Sequence, residues 1–548
     1  MNTSLLQRFY FRLLLLVFVT LSTPFADAVV LKVAPDKAFK EGEGVHTLRQ
    51  ALEKVEAGDT VKLAPGVYQL NLGMQLAGTP EQPIKIMGSG EATKIELTSS
   101  GGKYCVGFQK SHFIELHDLS FSNCGDIPIV LKDSTYFTFK NISFVGGRFP
   151  IYADGEKTHH ILLDSISWNQ DPSGRMYGEI PWSESHHGEY VHFNGSLIYG
   201  KGIAGSVIVR NSTIKNAFNG IRLKGKKDRI GLTNLNVEIY NNVFQNIRDN
   251  PVEPEVDATN WWVHHNRIQD AHAYFSFTKV AGGDWYIFRN IGVSERVITG
   301  EHTGGKILKF EDHGFLPTGP FIVFNNSWFG PRPIATGGQS RNLQYLNNAH
   351  QFAGSITPLK SENYHPSYRI RNNLVNAAID LEVLKESNIY LADFQFLNRE
   401  NLHAGQQVID AGVPIVVKGY TVKFSGKAPD IGAYENDGVS DYPPFKFDNR
   451  VYEEYPRLVK IDRHQPSKLV LWSSVALMSG TDLKAEAVYQ DGRRVKVALD
   501  VDGPRVIISS LDSAMLKELR LPRLTGINGL KMLEWGAVDG DFRIINKL

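Results

Sequence analysis

Apolar and polar residues alternate along most of this chain in short runs that recur. FIELHDLSF (Phe113–Phe121), YFTFKNISF (Tyr136–Phe144) and HILLDSISW (His160–Trp168) each alternate apolar positions, cross a polar Asp, Asn or Ser, and end on a serine and an aromatic residue. Phe121 and Phe144 are 23 positions apart, and Phe144 and Trp168 are 24 apart. VIVRNSTI, EIYNNVF, WVHHNRI, YIFRNIG, IVFNNSW and RIRNNLV continue the pattern. In them Asn242, Asn266 and Asn290 stand 24 apart, with Asn326 and Asn373 at longer intervals. Alternation with period two makes a strand with one inward face. A polar residue that recurs at a bend stacks on its copies, bonding backbone and side-chain amides. A period in the low twenties predicts the coils of a parallel β-helix, and the longer intervals predict loops inserted between coils. Leucine-rich repeats share the period, but their leucine-and-asparagine pattern is absent, and a β-sandwich would hold no such register.

The two ends of the repeat carry their own signals. In HTLRQALEKVEAGDTVKLAPGVY (His46–Tyr68), Leu48, Ala51, Leu52 and Val55 share one helical face, and Gly58-Asp59 ends the helix before a strand. An amphipathic helix there covers the open end of a solenoid, whose last coil otherwise exposes core and strand edges. PDIGAYE (Pro429–Glu435) is expected to be the closing turn. DGVSDYPPFKFDNRVYEEYP (Asp437–Pro456) is polar and aromatic with two adjacent prolines, and predicts a linker. Beyond it KLVLWSSVAL, LKAEAVY, RRVKVALDV and RVIISSL are short strands separated by turns such as Gln490-Asp491-Gly492, which predicts a small β-sandwich over residues 457–548. The expected organisation is therefore a signal segment at 1–28, a β-helix at 29–436, a linker at 437–456 and the sandwich.

The signal segment follows from Arg8 and Arg12 flanking the start of an apolar run, Leu13 to Leu21, that is too short to span a bilayer, followed by Ala26-Asp27-Ala28. Export with cleavage after Ala28, to the periplasm or the exterior, is the expectation. Lys plus Arg total 59 and Asp plus Glu 58, a formal net charge of +1, which gives no sign of a nucleic-acid partner or a polybasic membrane arm. With only Cys105 and Cys124, the chain is no disulfide scaffold. Export permits a bond between them, but two buried thiols in neighbouring turns is the preferred reading.

Charge gathers in RDNPVEPEVDATNWWVHHNRIQDAHAYFSF, from Arg248 to Phe277, where Asp249, Glu253, Glu255 and Asp257 fall within nine positions and His264, His265 and His272 follow. If coils stack, the strands NGIRLKG, NPVEPEV, AYFSFTKV and GGKILKF form one sheet with alternate residues on its outer face. That face would carry Arg222 and Lys224, then Glu253 and Glu255, then Phe277 and Lys279, then Lys306 with Lys309. It would make an extended groove suited to a polymer. An insertion, DPSGRMYGEIPWSESHHGEY, breaks the period and brings Trp182, His187, Tyr190 and His192 as candidate substrate contacts at the groove's border. The plainer reading of the glutamates is an ion-pair ladder with Arg222 and Lys224. The plainer reading of the histidines is structural, since His264 and His265 point to opposite faces.

The AGDTVKLAPGVY opening, the asparagine-bearing coils and the PDIGAYE segment resemble the exported right-handed parallel β-helix proteins that act on polysaccharides, over residues ~30–436. Within that group the Glu-x-Glu pair resembles the chondroitinase B and alginate lyase family. The resemblance implies that Glu253 and Glu255, joined by an asparagine from the preceding coil, hold calcium, and that a lysine and an arginine act as base and acid. NGIRLKG (Asn219–Gly225) matches the preceding strand. The family's lysine position is Asn260 here, and its arginine falls near Lys279. The C-terminal segment resembles a bacterial immunoglobulin-like module.

Taken together, these residues predict β-elimination on a uronic-acid polysaccharide. Glu253 and Glu255 would bind a cation or orient the basic groups, with Arg222 and Asn219 beside them. Lys279, or else His272, would be the base, Lys306 would bind carboxylate, and Lys224 would contact substrate. A C5 epimerase needs nearly the same groups. A hydrolase would use two of the four carboxylates, and a non-catalytic polysaccharide-binding protein is the alternative from another class.

Overall fold

The computed structural model describes residues 28–35, 45–98, 102–435 and 458–546. It is interrupted at 186, 227–232, 282, 296, 299–301, 312–318, 339, 380, 382–383, 385–386, 400–401 and 418–419, and in the last stretch at 466, 474–476, 478–482, 503–504, 513–514, 523–535 and 540–541. The expected signal segment up to residue 27 and the expected linker at 437–456 lie outside the described residues.

The repeats fold into a right-handed parallel β-helix. One face is a sheet of ten parallel strands: β1 (Leu72–Met74), β2 (Tyr104–Gln109), β3 (Ile127–Lys132), β4 (Ile151–Asp154), β5 (Ile198–Lys201), β6 (Ile221–Lys224), β7 (Val252–Asp257), β8 (Ala273–Ala281), β9 (Lys306–Glu311) and β10 (Ala335–Thr336). The rest of each coil contributes to a second, bent set of 25 parallel strands. The recurring dipeptides explain the bend. Their first residue takes the left-handed region (Asn241 φ 54°, His265 φ 54°, Arg289 φ 53°, Asn325 φ 48°), which Asn tolerates better than most residues. The second residue turns inward and forms the ladder. Asn242 N donates to Asn266 Oδ1 (3.1 Å), Asn266 N to Asn290 Oδ1 (3.0 Å), Asn290 N to Asn326 Oδ1 (2.9 Å), and the series continues through Asn348 and Asn373 to Asn388.

Inside, residues of like shape stack coil upon coil. Phe121 lies on Phe144 (5.2 Å between centroids), Trp261 on Trp285 (4.8 Å) and Phe277 on Phe310 (5.3 Å), all essentially without solvent contact. Each such side chain contributes about 1.5–3 kcal/mol by burial alone. At the N-terminal end, helix α1 (Leu48–Lys54) buries Leu48, Ala51 and Leu52 on the first coil, with Thr47 and Gln50 completing a capping box. PDIGAYE runs along the flank of the solenoid. Arg289 bonds Glu435 (2.7 Å) and Ala433 O, Asn325 bonds Asp430 O (2.6 Å), and Ala433 N bonds Ser327 Oγ (2.9 Å).

Two expectations change. Cys105 and Cys124 are joined, their Cα atoms 5.4 Å apart, so the preferred reading of two free thiols is wrong: neighbouring turns carry them within bonding reach. Phe277 is not on the outer face. It is fully buried, because β8 aligns Phe275 with Val252 and Thr278 with Glu255, which turns the odd-numbered aromatics inward.

The C-terminal unit is an eight-stranded, mainly antiparallel β structure with its own core of Leu469, Leu471, Ala485, Ala487, Val506, Ile508, Leu519 and Leu521. The long strand Arg494–Asp502 joins its two halves. Its first part pairs with Lys484–Tyr489 and its second with Arg505–Ser509. Gln490-Asp491-Gly492 makes the expected turn, with Gly492 at φ 86°.

Candidate active site

Register on the ten-stranded sheet sets out two rows of outward side chains. The first runs Tyr152, Tyr199, Arg222, Glu253, then Ser276, Lys309 and Thr336. The second runs Asp154, Lys201, Lys224 and Glu255, and resumes at Glu311 on β9. The face is therefore aromatic towards the N-terminal coils and charged towards the C-terminal ones.

Arg222 sits at the junction. Its Nε donates to Glu255 Oε1 (2.7 Å), its second terminal nitrogen also reaches Glu255, and its Nη1 donates to Asn194 Oδ1 (2.9 Å). Glu253 Oε2 is 3.4 Å from Arg222 Nε, an ion pair without hydrogen-bond geometry. Lys224 Nζ stands 3.1 Å from Glu255. Burial works against charge at both glutamates, but with different results. Glu255 is held below the ordinary carboxylate range because the bonds from Arg222 and Lys224 outweigh its burial. Glu253 is pushed up to about 8 by burial, with Asp249 and Glu255 adding to the effect and Arg222 opposing it. Asp249 is buried beside this pair and raised for the same reason, against the pull of Lys309 and Arg222.

A second cluster lies two strands further on. Ala271-His272 forms the turn before β8, and Gly304-Gly305 forms the turn before β9. A Cβ on Gly304 would stand 2.4 Å from Ala271 O, and Gly305 has φ 96°. Two glycines therefore let the turns lie flat on each other, and Lys306 N bonds His272 O (3.2 Å). This seats Lys306 Nζ 3.1 Å from His272 Nε2. Burial lowers the Lys306 amine, and Lys309 and Arg332 nearby lower it further. Lys309 is raised despite its burial, because Asp249, Glu311 and Glu253 surround it; Glu311 is 3.1 Å away.

The 171–195 insertion covers this cluster. Trp182 stacks on His272 (4.9 Å, 28°) and Phe218 (6.1 Å, 20°), with the Arg248 guanidinium 5.2 Å from its ring. The expected border loop is thus in place through Trp182. Tyr190 packs at the edge of the Met176–Ile180–Phe218 cluster. His187 and His192 are exposed at the two ends of the short 3₁₀ turn Gly188–Phe193, where His192 bonds Glu189 O (2.7 Å) and rests on Phe193.

Several sequence expectations come apart here. Asn219 is fully buried and its Oδ1 accepts from Asn250 N (2.9 Å), so it braces the turn and offers nothing to a cation or substrate. Asn260 lies on the other sheet, bonded to Asn236 (2.9 Å). His264, between Tyr240 and Phe288 and bonded to Glu238, and His265, at a bend, also belong to that sheet. Lys279 lies where the register between β7 and β8 shifts, and its side chain falls outside the described residues. The calcium expectation does not fit the residues present. Between Glu253 and Glu255 stands the Arg222 guanidinium, the asparagine meant to join them is buried elsewhere, and among the described residues no cluster of three or more His, Cys, Asp or Glu forms a metal site. Arg332 was missed because the strand carrying Ala335–Thr336 is only two residues long and follows an irregular turn, although FGPRPIAT ends a repeat in the usual way.

No family model matches the chain, and no curated protein matches it. Among solved structures it is similar to pectate lyase Pel9A, with 14% identity over 75% of this chain and 97% of that one, TM-score 0.37. It is similar to an alginate lyase from Paenibacillus sp. str. FPU-7, with 13% identity over 62% and 99%, TM-score 0.36. It is also similar to a PL6 family polysaccharide lyase from Pseudopedobacter saltans, with 11% identity over 69% and 99%, TM-score 0.38. At these identities the likeness concerns the fold alone.

Proposed function

We propose that the protein is an exported enzyme that cleaves a uronic-acid polysaccharide by β-elimination. The observation that carries this reading is the Lys306 amine, held low by burial and by neighbouring cations, within 3.1 Å of the His272 imidazole on the solenoid's outer face. An amine lowered in this way is neutral often enough to accept a proton. The Cys105–Cys124 bond supports an oxidising compartment. Among the described residues no helix is long and apolar enough to cross a membrane.

The reaction needs three services. Lys309 neutralises the uronate carboxylate, which acidifies the proton at C5. Lys306, oriented by His272, takes that proton. The C5–H electron pair becomes the C4–C5 double bond, the C4–O4 bond breaks, and O4 takes a proton from Glu253, which its raised pKa of about 8 keeps protonated at neutral pH. Arg222 holds Glu255 ionised and orients the acidic pair. Lys279 on β8, between the strands of Glu253 and Lys306, is the alternative base. Trp182 and Tyr190 are the sugar-contacting residues of the insertion.

The test is ultraviolet absorbance from a new C4–C5 double bond, followed on polyuronates and glycosaminoglycans with the purified chain and with Lys306→Met and Lys279→Met. Absorbance lost in the first variant and kept in the second supports the assignment, and the reverse pattern moves the base to Lys279. One observation favours a second reading: Glu253 is raised to about 8 while Glu255, on the same strand, is held ionised, the protonated and ionised carboxyl pair that a glycoside hydrolase requires. New reducing ends without ultraviolet absorbance would establish hydrolysis instead.

A further inference from the structure

The charged half of the outer face continues past Lys306 into an open cavity of about 480 Å³. Lys306, Arg332, Thr336, Lys360, Glu362 and Asn363 line it. Three of these side chains are cationic and one is acidic. The acid, Glu362, stands 3.7 Å from Lys360 at the exposed rim. Thr336 and Asn363 add polar groups of the kind that fix a sugar's orientation. The volume lies in the range of small-molecule sites. Like charges collected in a concave site raise the local concentration of an anion and lower the cost of placing one there.

We propose that this cavity seats the uronate residue next to the one being cleaved, so that the enzyme requires two contiguous acidic sugars. The proposal rests on the lyase reading and names its substrate class. Adjacent strands in the stacking direction are about 4.8 Å apart, close to the advance of one sugar along a polymer. A sugar placed at Lys306 on β9 therefore puts its neighbour over β10, beside Arg332 and Thr336. In the opposite direction Arg222 and Lys224 are already engaged with Glu255, and beyond them, apart from the exposed Lys201, the outward row turns aromatic. There the row is Tyr199 and Tyr152, their rings 5.6 Å apart with Phe149 4.7 Å from Tyr199, a surface for stacking rather than charge neutralisation. The anion requirement is thus one-sided. It favours a homopolymeric uronate over a polymer in which uronate alternates with a neutral hexosamine. Occupancy also bears on the chemistry, because the carboxylate entering the cavity offsets the cations that depress Lys306.

The experiment has two arms on the full chain. In the first, di- and trigalacturonate and the corresponding mannuronates are titrated by calorimetry into the parent, Arg332→Ala, Arg332→Lys and Lys360→Ala. Lys360 is exposed, so its removal does not threaten folding. In the second, KM and kcat are measured on polyuronates and on hyaluronan, in which glucuronate alternates with N-acetylhexosamine. The expected result is binding of the diuronate weakened about tenfold or more in Arg332→Ala and Lys360→Ala, partly restored in Arg332→Lys, with the same change in KM on polyuronate. Unchanged binding and KM in all three variants, or equal turnover of hyaluronan and polyuronate, would overturn the cavity's role while the lyase reading stands. Arg332-dependent binding of the diuronate with no unsaturated product on any polymer would keep the cavity and overturn the lyase. An absence of any binding and turnover overturns both.

Discussion

Arg222 is the perturbation with the clearest expected magnitude. Its side chain and those of Glu253 and Glu255 are only 19%, 10% and 14% exposed, and it bonds one glutamate and faces the other. At pH 7 Glu253 is largely protonated, so removing Arg222 leaves the ionised, buried Glu255 with only the half-exposed Lys224, at a cost of about 3–5 kcal/mol. Arg222→Leu should therefore lose about that much stability at pH 7. In a solenoid the loss is local, so native-state hydrogen exchange of the β6 and β7 amides reads it best, as an acceleration of about two to four orders of magnitude. The loss must also depend on pH. Glu255 has a lowered folded pKa, so its favourable contribution is present above its unfolded value and vanishes as pH falls through the folded one. Glu253 has a raised folded pKa, about 8, so its unfavourable contribution grows as pH rises from its unfolded value of about 4.3 towards 8. Without Arg222 both carboxyls become harder to ionise, and the penalty shrinks at pH 4, where they can be protonated. A loss below 1 kcal/mol at pH 7 would make the contacts an ordinary surface ladder. A loss equal at pH 4 and pH 7 would refute the electrostatic account.

Other expectations follow from the same geometry. Glu253→Gln should gain stability relative to the parent, with the gain increasing between about pH 5 and pH 8 and level above; denaturation across that range checks it. Arg222→Ala should acquire a calcium-dependent rise in melting temperature that the parent lacks, since a divalent ion can then take the guanidinium's place between the glutamates; a parent that responds as strongly contradicts this. His272→Gln should lower kcat about 10²- to 10⁴-fold, and Lys309→Met should move the acid limb of the pH–rate profile upward, because one of the cations that depress Lys306 is gone.

The fold was largely legible because a solenoid writes its period into the chain. The 24-residue spacing of Asn242, Asn266 and Asn290 is the ladder itself, and the Leu48–Ala51–Leu52 face is the capping helix. Arg222, Lys224, Glu253 and Glu255 were also readable as outward neighbours, since strands of equal phase stack in register. The readings that failed depend on what alternation cannot convey. Alternation does not say which of its two phases faces inward, and Phe277, in register with the inward Phe275, was assigned to the wrong face. Burial of a turn asparagine depends on what covers it, and Asn219 is covered by its neighbouring coils. The contact of Trp182 with His272 joins positions 90 apart through an insertion with no repeat to align it.

The asparagine ladder also sets what this chain can change. Successive rungs are separated by 24, 24, 36, 22, 25 and 15 residues, yet each makes the same pair of bonds to the next. The ladder measures coils, not residues. A loop of any length can leave between two rungs and return without disturbing the next, because the amide of each asparagine is answered wherever the chain comes back. Walls around the groove can therefore lengthen, shorten or be replaced while the floor that carries Arg222, Glu253 and Lys306 keeps its spacing. Whole coils can be added in the same way. The architecture separates the part of the protein that meets different polymers from the part that must stay in register.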